Sequence, residues 1–182
     1  MNDPHRDPYV LTVRLDAAVQ ERFDALRRAH FPPGRTAVGA HVTVFHALPG
    51  AALPAGQATP DAVGAVLAEL APSPSVVTVT GVRSLGRGVA YTLEAPGVAL
   101  VRRRLAEEFA GRLTAQDSQP WRPHVTVQNK VTPAEARSLL AELGASFAPF
   151  EAVALGLDLW RYRGAPWEHH ASFLFGQRPP DR

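Results

Sequence analysis

The tetrapeptide His-Val-Thr-Val occurs at His41–Val44 and again at His124–Val127, and no other feature limits the possible folds of this chain so tightly. With 19 Val and 10 Thr among 182 residues, a chance repeat behind another histidine is expected roughly once in three hundred such chains. Each copy alternates and is rich in β-branched residues, so each reads as a strand. Successive strand side chains point to opposite faces. His41 and Thr43 therefore share one face, and Val42 and Val44 the other. His124 and Thr126 are set against Val125 and Val127 in the same way. The valines suit a core, which turns each imidazole–hydroxyl pair toward a cleft or solvent. Continued alternation adds Phe45 to the first of these faces and Gln128 and Lys130 to the second.

The flanking segments repeat an order of elements. Tyr9–Asp16 reads as a strand, and Asp16 caps a helix reaching His30. Two prolines and a glycine in Phe31–Thr36 stop that helix before the first motif strand. A helix from Pro60 to about Leu70 follows, with Thr59 as its cap. Ser75–Val82 and Val89–Ala95 form a hairpin, and Gly97–Leu113 an amphipathic helix buried through Val98, Val101, Leu105, Phe109 and Leu113. The second motif strand comes next. Thr132 and Glu135 form a capping box opening a helix to about Leu143, and strands at Phe150–Tyr162 and Glu168–Phe175 close the chain. The order β-α-β-α-β-β-α-β-α-β-β suggests one domain with two related halves, about 9–72 and 75–175, with loose tails. Each half is too small to fold comfortably alone.

Charge and composition narrow the chemistry. Of the 19 basic residues only Lys130 is lysine, and the net charge is +2. Flat guanidinium forks suit phosphate, but so small a charge does not argue for long-duplex binding. The absence of cysteine removes disulfides, thiolate catalysis and thiolate zinc sites. With no signal peptide in the polar start and no membrane-length apolar stretch, a cytoplasmic protein without membrane association is expected. No obligate protein partner is visible.

If the halves are related by a pseudo-twofold axis, two imidazoles and two hydroxyls converge across one groove. That set suits a phosphodiester. One neutral histidine accepts a proton while a charged one donates, and threonine hydroxyls bind the non-bridging oxygens, where charge grows in the transition state. No metal or covalent intermediate is required.

These residues resemble the two-histidine (2H) phosphoesterase superfamily, the 2′-5′ RNA ligase-like (LigT-like) group, whose hallmark is two His-x-Thr/Ser-x motifs on strands. The resemblance covers roughly Tyr9 to Phe175. It implies an α+β bilobed fold, with antiparallel sheets lining a central cleft and helices outside. It implies hydrolysis of 2′,3′-cyclic phosphates or related cyclic nucleotide phosphates, usually without metal, and in some relatives joining or cleavage of 2′-5′ linkages. On that basis His124 is the expected general base and His41 the general acid, while Thr43 and Thr126 hold the phosphate; the substrate is a nucleotide or RNA end, and no cofactor is expected. Many relatives carry an arginine shortly after the second histidine. Here Gln128, Asn129 and Lys130 stand there, so Lys130 is the expected charge, as a point donor rather than a fork.

Rival readings attach to the remaining candidates. A metal site is disfavoured because His41 and His46 face opposite sides of one strand, His169 and His170 diverge, and no carboxylate completes a ligand pattern. The Arg102–Arg104 run reads as a solvated helix face. Arg35 and Arg122 lie in the approaches to the motif strands, where an arginine can meet the phosphate or the next nucleotide. Phe45, Tyr91, Trp121 and Trp167 are either base-stacking or packing residues, and alternation makes the best case for Phe45. A non-catalytic module that binds RNA or nucleotide ends through the same groove is the alternative to an enzyme.

Overall fold

The computed structural model describes residues 7–34, 38–50, 53 and 56–177. Among the described residues, seven strands and four helices follow the order read from the sequence: β1 (Tyr9–Leu15), α1 (Ala17–His30), β2 (Val42–Leu48), α2 (Thr59–Leu70), β3 (Ser75–Ser84), β4 (Val89–Glu94), α3 (Pro96–Glu108), β5 (His124–Gln128), α4 (Pro133–Ala145), β6 (Phe150–Arg161) and β7 (Glu168–Leu174). The Asp16 side chain accepts from the Val19 amide at the start of α1, and Thr132 and Glu135 close the capping box of α4. The expected reach of α3 to Leu113 is not seen. The helix stops at Glu108, and Gly111 adopts a left-handed φ of 76° that a helix cannot continue through.

Every strand pairing is antiparallel, in the order β1-β2-β5-β4-β3-β6-β7 with a further β1–β6 pairing. Six strands thus pair in a closed cycle, with β7 attached to β6. The long strand β6 serves two neighbourhoods. Its residues Phe150–Ala154 pair with β3, and Ala154–Arg161 pair with β1. One four-strand set is therefore β2-β1-β6-β7 and the other β5-β4-β3-β6, sharing β6. Helix α1 packs against β5, and α4 against β3 and β4. Phe23, Leu11, Leu48, Leu105, Phe109, Leu157 and Leu159 are fully buried. The four motif valines, Val42, Val44, Val125 and Val127, all join this core, and that leaves the alternate face of β2 and β5 free.

Candidate active site

The site begins with the way α1 holds the segment leading into β2. Arg27 Nε donates to the Val38 carbonyl, Gln20 Nε2 to the Ala40 carbonyl, and the Ala40 amide to Asp24 Oδ1 at 2.6 Å. A Cβ at Gly39 would meet Asp24 Oδ1 at 3.0 Å, so glycine lets the backbone approach the helix this closely. The chain therefore enters the first motif held by these anchors to α1.

Strands β2 and β5 pair at one position, Val42 opposite Val125. In an antiparallel pair the flanking residues then fall opposite one another, His41 beside Thr126 and Thr43 beside His124, on one face. The pairing is its own twofold: the centre of one motif lies against the centre of the other. His41 and His124 are diagonal neighbours, with backbones about 7–8 Å apart. The two imidazoles are held alike. His41 Nδ1 lies 2.8 Å from the carbonyl of Gly39, and His124 Nδ1 2.8 Å from the carbonyl of Arg122. A carbonyl only accepts, so each Nδ1 carries the hydrogen and each Nε2 keeps its lone pair. Desolvation is the main force lowering the His41 pKa, to about 4, and the charges of Arg27 and His124 push the same way. Burial also lowers the His124 pKa, aided by the charge of Arg83. Both rings are therefore neutral at pH 7 before any ligand arrives.

Each motif strand is clamped by an arginine from a helix. Arg27 of α1 donates at 2.7 Å to the carbonyl of Thr126. Arg102 of α3 donates to the carbonyls of Val44 and Asp117 and lies over the ring of Phe45. Trp121 Nε1 donates to the Thr43 carbonyl at 2.8 Å. Arg102 is thus wedged between elements, where the charge run suggests a solvated face. Its role is hidden in the sequence because a helix's charged side gives no sign of which neighbour it meets.

The two sides of the face differ. Beside His41 is a cavity of about 440 Å³ lined by Thr12, Arg14, Asp158, Trp160 and Trp167 among others. The Trp167 ring lies 4.7 Å from that of His41, and Arg14 pairs with Asp158 at 2.9 Å, so the floor is charge-balanced. Beside His124 is a cavity of about 360 Å³ lined by Thr43, His46, Arg83, Arg102 and Arg122 among others. Among the described residues, no group of three or more histidine or carboxylate side chains is arranged to hold a metal ion.

The structure brings His41, Thr43, His124 and Thr126 together and sets Arg122 at the edge. It does not bring Phe45. The β1–β2 register shifts between Leu11–Phe45 and Thr12–Thr43, with Val44 as the extra residue. This bulge breaks the alternation, so Phe45 is fully buried and His46 is exposed instead. Nor does the structure bring Lys130 to the expected face: β5 ends at Gln128, and Lys130 sits exposed in a left-handed turn with φ 62°, off the strand face. Arg35 lies outside the described residues. Of the other aromatics, Tyr91 is core, packed edge-on against Phe23. Trp160 and Arg83 have no motif to signal them; only pairing across strands places them here.

Residues 15–166 match the family model described as 2′-5′ RNA ligase superfamily. No curated protein matches the sequence significantly. Among solved structures, TT0787 of Thermus thermophilus aligns with TM-score 0.61 at 18% identity, covering 93% of this chain and 98% of that one. E. coli LigT complexed with 3′-AMP aligns with TM-score 0.59 at 16% identity, covering 94% and 99%. E. coli LigT complexed with phosphate gives 0.59 at 16%, covering 94% and 98%. At these identities the likeness is one of fold.

Proposed function

The chain belongs to the 2′-5′ RNA ligase superfamily, and within it we propose a metal-independent 2H phosphoesterase that hydrolyses a 2′,3′-cyclic phosphate, or a related cyclic phosphodiester, of a nucleotide or RNA end. The observation that carries this reading is the matched pair of imidazoles, each with Nδ1 tied to a backbone carbonyl two residues upstream and each with Nε2 making no hydrogen bond to a described residue, set diagonally across one strand pairing. Complexes of E. coli LigT with 3′-AMP, NADP+ and ATP support a nucleotide as the ligand class. The same cleft suits 2′-5′ linkages. We place the protein in the cytoplasm, as a single bilobed domain.

In the proposed reaction the phosphate sits between the rings, with the Thr43 and Thr126 hydroxyls donating to its non-bridging oxygens. His124 Nε2 takes a proton from water as the water oxygen bonds to phosphorus. The bond from phosphorus to one ribose oxygen breaks, and His41 Nε2 delivers its proton to that oxygen. The product is a phosphate monoester, and the two rings exchange protonation states and reset through solvent. His41 must be charged for this step, although burial disfavours its charge in the free protein. The negative phosphate supplies the compensating field.

The test is product analysis after incubation with a panel of nucleoside 2′,3′-cyclic phosphates and 2′-5′ dinucleotides, with and without EDTA. Monoester formation that survives EDTA is expected, and His41→Ala or His124→Ala each lowers turnover by about 10²–10⁴-fold. Wild-type rates in both single variants would sink the reading. Ligands that bind and never turn over would instead favour a non-catalytic module for RNA or nucleotide ends.

A further inference from the structure

The two strand sets are equivalent position by position, and one equivalent pair has opposite charge. Thr43 pairs with Thr12, which pairs with Asp158. Thr126 pairs with Ala90, which pairs with Arg83. Arg83 therefore occupies, on the His124 side, the place that Asp158 holds on the His41 side, and both face the same way as the threonines. Asp158 is neutralised by Arg14 and hydrogen-bonded by Ser172. Arg83 has no such partner. Its Nε is buried without a hydrogen bond, and its guanidinium makes no hydrogen bond or ion pair with any described residue. A buried donor left unpaired is costly and uncommon.

Arg83 also marks a junction. It lines the 360 Å³ cavity that contains His124 and Thr43, and a further cavity of about 560 Å³ that continues past Thr92, Glu94 and Pro96. Arg122 and Trp121 line both cavities too. Glu94, the carboxylate of the outer cavity, forms no ion pair with either arginine. Burial is the main cause of the lowered His124 pKa, and the charge of Arg83 pushes the same way. The groove is thus aromatic and charge-balanced beyond His41, and cationic beyond His124.

We infer that Arg83, with Arg122, forms a subsite for a second phosphate group of the substrate, on the His124 side of the reacting phosphorus. This rests on the phosphoesterase reading for the identity of the first phosphate. A second phosphate supplies the acceptors that the buried Nε lacks, and a guanidinium fork holds it by charge-assisted bonds. It sits on the 5′ oxygen of the terminal nucleotide, either as a free monoester or as the diester of the internucleotide linkage.

The test compares ligands with one and two phosphates. Adenosine 2′,3′-cyclic phosphate, its 5′-phosphorylated form and a dinucleotide ending in a 2′,3′-cyclic phosphate are assayed with wild type, Arg83→Met and Arg83→Lys. Wild type is expected to prefer at least one two-phosphate substrate, and which one identifies the source. In Arg83→Met that preference in kcat/KM falls roughly 10- to 100-fold, mainly through KM, as loss of charge-assisted bonds implies, and Arg83→Lys keeps part of it. Calorimetry with adenosine 3′-monophosphate, adenosine 3′,5′-bisphosphate and a dinucleotide 3′-monophosphate reads the same preference without turnover. Tighter two-phosphate binding that Arg83→Met abolishes upholds the subsite even where no cyclic phosphate is hydrolysed, in which case the phosphoesterase reading alone falls. The subsite is overturned by equal losses for one- and two-phosphate ligands, by no wild-type preference, by no loss, or by a lowered Tm in Arg83→Met.

Discussion

At the scale of single residues, the chemistry turns on where two protons sit. Both rings donate through Nδ1 to fixed carbonyls, so a phosphate bound as proposed meets two bare Nε2 atoms. Binding is therefore expected to take up protons near pH 7, approaching one per phosphate. Calorimetric titration in buffers of different ionisation enthalpy reads this directly, and His41→Asn should reduce it. The same burial makes stability depend on pH. An unfolded histidine titrates near 6.5, whereas folded His41 titrates at about 4. Between those values the unfolded chain binds more protons, so stability is full above pH 6.5 and falls as pH drops through the window. Urea denaturation at pH 5 against pH 7.5 should show a loss of about 2 kcal/mol from His41, with His124 adding in the same direction; His41→Asn should flatten the dependence. The motif residues are legible because alternation within four residues needs nothing from outside. Phe45 and Lys130 are misplaced for the converse reason: one extra residue in β2 and the end of β5 each change a face, and neither leaves a mark in the local pattern.

At the scale of elements, the motif strands are positioned by their neighbours. A Cβ at Gly88 would lie 2.0 Å from the Gln128 carbonyl oxygen in the adjoining backbone. Gly88→Ala should push β5 from β4 and cost about 3 kcal/mol in a denaturation series, with loss of His124 from the site. Arg27 is a positioning residue of another kind. Its guanidinium ties α1 to the Val38 and Thr126 carbonyls, and its charge adds to the lowering of the His41 pKa that burial chiefly causes. Arg27→Met should lower kcat with little change in KM and, unlike a loss of packing alone, raise the His41 pKa in an NMR titration. Two of the three expected caps are readable from capping chemistry, as Asp16 and Thr132 show; Thr59 instead lies inside α2, whose N-cap is Ala58, and its hydroxyl donates to the Pro49 carbonyl. The cross-element grip of Arg27 and Arg102 is not readable, because nothing in a helix sequence states which backbone its outer side chains will meet.

At the scale of the whole molecule, β6 joins the two strand sets. It pairs with β3 through its first residues and with β1 and β7 through the rest. Linear order hints at two halves but does not show that the last two strands complete the first set. That exchange places Trp160, Asp158 and Trp167 beside His41, and so gives one aromatic end and one cationic end to the cleft where we propose the reacting phosphate binds. The most direct test of that position is an NMR titration of the Arg83→Met variant, which lacks the proposed second-phosphate subsite, with inorganic phosphate, following the ring nitrogens of His41 and His124 together. One saturable transition, with both Nε2 signals moving in parallel at one equivalent and weakened alike by Thr43→Val and Thr126→Val, is the expected result. Two independent transitions, or a response from only one ring, would contradict it.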